Sequence, residues 1–132
     1  RASIIEDWER FSPIGVAYDP WNATQLALEL VDAGVPMEKF IQGPRSYHPA
    51  MQACEIAYVS GNLRHGADPV LLWNAANIVA SKKGENLNMM PDKKRSADKI
   101  DGMAALIMAF GLAAASPDEA DANAFYANPV RA

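Results

Sequence analysis

The chain has 132 residues and a mass of 14.3 kDa, a single domain's worth. Half of its residues are hydrophobic and 21% are charged, which excludes wholesale disorder. A net charge of −4 excludes a protein that grips nucleic acid over its whole surface, so any such contact needs a local basic patch. Cys54 is the single cysteine and cannot pair internally; it reads as a small buried apolar residue rather than a nucleophile. The apolar run 103–115 is too short and too rich in Ala and Gly to span a bilayer, and no signal-peptide pattern opens the chain. The chain starts at Arg1 and enters a helical pattern at once, so we read it as a piece of something longer.

In chain order, residues 2–11 place Ile4, Ile5, Trp8 and Phe11 on one helical stripe, and Ser12-Pro13 stops that helix. Residues 14–18 form a short apolar run that reads as a buried strand ending at Asp19-Pro20. A helix follows, with Ala23, Leu26, Ala27, Leu30 and Val31 on its apolar face, Asn22 as N-cap and Gly34 as terminator. Residues 36–41 read as a second strand, which makes a βαβ unit with a parallel pair and a right-handed crossover. Residues 48–60 predict a helix with Met51, Cys54, Ala57 and Tyr58 inward, ended by Gly61. Residues 69–76 predict a short helix with Pro69 at its first position. Residues 78–82 and 87–90 suggest a hairpin around Gly84-Glu85-Asn86, followed by a charged loop over 91–95. A nearly all-apolar helix, opened by Ser96 or Ala97 and running to about 114, predicts packing on several sides. From Ser116 the chain is polar and acidic and reads as a mobile tail, so we expect a body over 1–115 and a tail over 116–132.

Asp19 sits where a strand meets its helix, and ligands of open α/β sheets bind at strand carboxyl ends. The plain alternative is a turn-forming Asp before Pro20. Asp101 lies in the first turns of the last helix, where the dipole favours an acid in any case. Gly102 beside it leaves room for another group to approach closely, and Asp98, one turn earlier, is a candidate helper. Two carboxylates on separate rigid elements are the ingredients of a Mg²⁺ or Mn²⁺ site, since hard cations take oxygen ligands. Residues 82–99 hold six basic residues against three acidic ones, a local net of +3 that leads directly to Asp101. Lys93, Lys94, Arg95 and Lys99 there are candidate phosphate contacts, against the alternative of a solvated loop. Arg64-His65-Gly66 is a second polar cluster in which Arg64 is a further candidate and His65 reads as loop packing. His48, before Pro49, fits a helix entry, and Trp8, Trp21 and Trp73 read as core or rim anchors.

These residues carry a resemblance. The string Ala17-Tyr18-Asp19-Pro20-Trp21-Asn22-Ala23 resembles the "YD.WNA" motif of tailed-phage terminase large subunits. Gly61-Asn62-Leu63-Arg64-His65-Gly66, then Pro69-Val70-Leu71, Trp73 and Asn77, resemble that family's "G.LRHG..PVL.W...N" segment. Pro91-Asp92-Lys93-Lys94, then Ile100-Asp101-Gly102 and Ala105-Leu106, resemble its "PDK…IDG..AL" ending. Order and spacing agree over about 14–113, and several motifs in one order are far more specific than one.

The resemblance implies the C-terminal nuclease domain of that family, with an α/β, RNase H-like fold. It implies a metal-dependent endonuclease that cuts concatemeric phage DNA during genome packaging in the host cytoplasm. Asp19 matches the "YD" acid and Asp101 the "IDG" acid, as ligands of Mg²⁺ or Mn²⁺. The implied partners are double-stranded viral DNA and, for the parent protein, the terminase small subunit and the portal. The family's opening strands and first catalytic Asp precede anything in this sequence. We therefore expect an incomplete fold, weak or no activity from this piece alone, and self-association that covers exposed strand edges. The competing expectation is a non-catalytic DNA-binding or motor-docking module, in which the basic segment grips phosphate and the acids are structural.

Overall fold

The computed structural model describes residues 1–115, so the acidic segment 116–132 lies outside the described residues. The elements run α1 (Ala2–Phe11), β1 (Val16–Tyr18), α2 (Pro20–Asp32), β2 (Met37–Lys39), α3 (Pro44–Val59), α4 (Pro69–Asn77), β3 (Ala80–Lys83), β4 (Asn88–Pro91) and α5 (Asp101–Ala115). This is the mixed α/β order that the sequence predicts.

β1 and β2 pair in parallel, Val16 with Met37, Ala17 with Glu38 and Tyr18 with Lys39. The pairing continues one residue beyond each end, from Val16 N–H to Pro36 O and from Phe40 N–H to Tyr18 O, both 2.8 Å. The strand–helix–strand unit read from the sequence is therefore present. Three-residue strands bury too little to stand alone. Here α2 returns against β2, and α5 lies against β1. No third strand joins this pair among the described residues.

The α2 boundaries differ from expectation at one end. Asp19, not Asn22, is the N-cap: its Oδ1 accepts the Trp21 N–H at 3.1 Å, and Pro20 opens the helix. Proline has no N–H to satisfy there and its φ suits a first turn, so the helix starts as early as the proline permits. Gly34 ends the helix as expected, with φ +87°, a conformation that costs glycine little. On the apolar stripe Ala27 and Leu30 are buried, while Leu26 and Val31 keep a third to a half of their surface in water.

α3 starts at Pro44, four residues earlier than the pattern suggests, because Gly43-Pro44 offers the same kind of entry. His48 is thus inside the helix rather than at its start. Cys54 and Ala57 face inward as predicted, but Tyr58 is 69% exposed, since it falls one position past the buried stripe. β3 and β4 form the antiparallel hairpin, and β4 packs on α3. His48 Nδ1 accepts the Met89 N–H at 3.2 Å and ties the two together.

The core lies between α3 and α5, around Phe40, Tyr47, Ala50, Cys54, Ile107 and Met108. Phe40 and Tyr47 meet edge to face at 5.2 Å. α5 packs on α3, α4 and β1, which accounts for its apolar surface. The approach to α3 needs Gly111, where a Cβ would lie 2.7 Å from the Phe40 ring and 3.0 Å from Ala50 Cβ. The expected start of α5 at Ser96 or Ala97 is corrected to Asp101; residues 97–100 are irregular, and Ile100 O accepts the Ala104 N–H. Among the described residues, no helix is long and apolar enough to cross a membrane.

Candidate functional site

Contacts with α5 show how the strands run along it. A Cβ on Gly15, just before β1, would touch Leu112, late in α5. Gln42, past the end of β2, reaches Met108, one turn earlier in α5. Travelling along the strands therefore means travelling backwards along α5. Phe40, directly after β2, packs on Gly111. The strand ends therefore meet the middle and second half of α5, and Asp101 opens that helix about two turns before Met108.

Asp19 is half-buried. It caps α2, so the turn-forming role considered for it is real, and its carboxylate is fixed by that bond. Its charge also reaches Tyr47: burial, and after it the Asp19 carboxylate, push the phenol up to about 12. Sequence reasoning missed Tyr47 as a neighbour of Asp19, because the two residues meet only through tertiary packing.

Asp101 is exposed, and its Oδ1 lies 3.7 Å from Lys93 Nζ. It stands in the first turn of α5, so the helix dipole favours its charge. The close approach expected at Gly102 is found. The carboxamide of Asn74, 3% exposed, accepts the Gly102 N–H through Oδ1 at 2.9 Å. A Cβ on Gly102 would sit 3.4 Å from that oxygen. Nothing in the pattern around Trp73 and Asn77 singles out Asn74. Asp98, expected on the helix, lies before it, and its Oδ1 accepts the Lys99 N–H at 2.8 Å.

The basic loop is built on Asp92, a buried carboxylate with Lys83 Nζ at 3.4 Å from its Oδ2. Its Oδ1 accepts the N–H groups of Lys94 and Arg95, at 3.2 and 3.3 Å. Ser96 Oγ donates to Asp92 O and accepts the Val79 N–H, which anchors the loop to the segment entering β3. The Ser81 hydroxyl, which makes no hydrogen bond of standard geometry, is the largest influence on Asp92. With Lys83 and the Arg95 N–H it holds this carboxyl below its ordinary range, against the effect of burial. The loop turns its anion inward and its cations outward. Lys93, Lys94, Arg95 and Lys99 are all exposed, and among the described residues Lys94, Arg95 and Lys99 have no ion-pair partner.

Other candidates stand apart from these acids. Arg64 is exposed in the loop between α3 and α4, and no hydrogen bond or ion pair among the described residues links it to the acids. His65 Nδ1 accepts the Ala67 N–H, the loop-packing role expected of it. Cys54 is buried and its thiol is pushed up by burial, which suits an inert apolar role. Trp21 is 85% exposed and Trp73 45%, so neither is an anchor within the described fold. Among the described residues, no group of three or more His, Cys, Asp or Glu side chains is arranged to hold a metal ion. The candidate oxygen donors are those of Asp19, after β1, and Asp101, at the start of α5.

The family model "Terminase large subunit, endonuclease domain" matches residues 5–117. The chain is 33% identical to the terminase large subunit of Enterobacteria phage HK97 over 114 residues, 85% of this chain and 22% of that protein. It is 33% identical to Protein YmfN of Escherichia coli K12 over 106 residues, 79% of this chain and 23% of that one. The crystal structure of the HK97 large terminase superimposes with a TM-score of 0.76 at 33% identity, covering 84% of this chain and 23% of that one. The chain thus spans under a quarter of the length of the relatives it matches. With motifs, fold and family model in agreement, the chain belongs to the endonuclease-domain family of terminase large subunits.

Proposed function

We propose that the chain is part of an RNase H-like, metal-dependent DNA endonuclease domain of a phage-type packaging terminase. The observation that carries this reading is that Asp19, capping α2 directly after β1, and Asp101, in the first turn of α5, match the acids of the two motifs, in a chain of that family. The donors fit a hard divalent cation in kind, because both are carboxylate oxygens on rigid elements. A bound Mg²⁺ or Mn²⁺ would supply a hydroxide nucleophile and stabilise the charge of the phosphodiester transition state. The chain's own residues do the rest. The cap on α2 holds Asp19, and Lys93, Lys94, Arg95 and Lys99 present positive charge to phosphate. In the parent enzyme the substrate is double-stranded viral DNA, cut during packaging, with the small subunit and portal as partners. Two acids are fewer than such chemistry uses, so the chain alone is weakly active or inactive.

The test is cleavage of plasmid DNA with Mn²⁺, Mg²⁺ or EDTA. It uses the chain alone and the HK97 large terminase carrying this chain in place of its matching segment. Metal-dependent cutting by the chimera that is lost on Asp101→Ala supports the reading. Full cutting by that variant would sink the site assignment. DNA binding without cutting by the chimera, with the acids replaceable, would favour the non-catalytic module. The unpaired edges of β1 and β2 also predict concentration-dependent self-association of the chain. A monomeric sedimentation profile at micromolar concentration, with cooperative unfolding, would count against that.

A further inference from the structure

Asn74 is 3% exposed, and both ends of its carboxamide are used. Nδ2 donates to Val70 O at 3.0 Å, one turn back in α4. Oδ1 accepts the N–H of Gly102, 28 residues away at the start of α5. A helix start leaves its first N–H groups without partners, and a side chain of the helix's own N-cap usually supplies one. The residue before α5 is Ile100, which has no such group and is buried at 2% exposure. The cap is therefore supplied from α4. It falls on the residue next to Asp101, and the lack of a Cβ at Gly102 lets the carboxamide approach.

We infer that Asn74 is a positioning residue for Asp101, capping α5 from outside so that this carboxylate is presented to the metal at a fixed angle. The inference rests on the metal reading above. Two features suit Asn to this task. Its amide is bifunctional, so one bond fixes the side chain on α4 while the other fixes α5. It is also neutral, so it caps the helix without adding a negative charge beside Asp101 or burying an unpaired one.

The test is amide NMR of the chain, with and without Mn²⁺, for the unaltered sequence, Asn74→Ala and Asn74→Asp. Without metal, Asn74→Ala should speed hydrogen exchange at Gly102 about tenfold or more while Ile107 and Met108 stay protected. Asn74→Asp, measured in acid where its carboxyl is protonated and so keeps both a donor and an acceptor without charge, should restore Gly102 protection, and it decides the matter should the Ala variant fail to fold. With Mn²⁺, paramagnetic broadening at Gly102 and Met103 should fall in Asn74→Ala, while that at Trp21, beside Asp19, persists. Unchanged exchange and broadening at Gly102 in a folded Ala variant overturn the inference alone. So does a folded Asp variant in acid in which Gly102 protection is lost. No broadening near either acid in the unaltered chain overturns the metal reading and this inference with it.

Discussion

Lys93 Nζ lies 3.7 Å from Asp101 Oδ1, so the basic loop touches the acid at the start of α5. Both side chains are more than half exposed, and such pairs contribute little to stability. The pair matters for occupancy instead, because an ammonium beside a carboxylate competes with a metal ion for the same oxygen. Lys93→Met should leave the melting free energy within about 0.5 kcal/mol. It should raise the affinity of the chain for Mn²⁺ several-fold, read by water-proton relaxation. Unchanged or weaker Mn²⁺ binding would show that Lys93 does not compete.

Asp19 serves as a cap and as a candidate ligand, and two substitutions separate these roles. Asp19→Ala removes the cap and should cost about 1 kcal/mol in a denaturant titration. Asp19→Asn keeps an N-cap acceptor and removes the charge, so its stability should stay near that of the parent. Both should abolish metal-dependent cleavage in the chimera. Cleavage retained by Asp19→Asn would mean that the residue acts only as a cap.

Lys94 and Arg95 lend their backbone N–H groups to Asp92 and leave their side chains in water. Charge reversal at both therefore spares the loop. Lys94→Glu with Arg95→Glu should weaken DNA binding and flatten the salt dependence by about two released counterions. The melting curve should not move. An unchanged salt slope would remove these side chains from the phosphate contact.

Two groups set opposite pH limits. The Asp92 carboxyl is lowered in the fold, so its contribution is present above the ordinary carboxylate range, near about 4, and is lost as pH falls through the folded value. Hydrogen exchange at Arg95 and Ser96 should rise in acid before exchange in α5 does. Tyr47 is raised to about 12, so stability is whole below the ordinary phenol value near about 10 and falls as pH rises from there to the folded value. Absorbance of the phenolate and loss of helix signal should therefore develop together in alkali. Asp19→Asn should move the phenol transition down, and no movement would mean that the two groups do not sense each other.

Much of the fold was legible because it follows local rules. Ser12-Pro13, Gly34 and Gly61 end helices for reasons carried by single residues, and the βαβ unit follows from two apolar runs flanking one amphipathic segment. The misplaced starts share a cause. The apolar patterns begin at Asn22, His48 and Ser96, whereas the chain enters its helices at Pro20, Pro44 and Asp101, where caps or tertiary partners decide. At the site, Asp19, Asp101 and the basic run stand out through position and charge. Asn74, Tyr47 and the inward turn of Asp92 do not, because each acquires its role from residues distant in sequence. Gly102 lies between these cases: its identity announced a close approach, but the approaching group was visible only in three dimensions.

The cap on α2 uses only part of the Asp19 carboxylate. One of its two oxygens holds the Trp21 N–H. Each carboxylate oxygen has two lone pairs, so that bond can persist while the other oxygen stays open to a cation. A cation taken there would leave the start of α2 fastened, and one half-buried side chain would serve helix and ion at once.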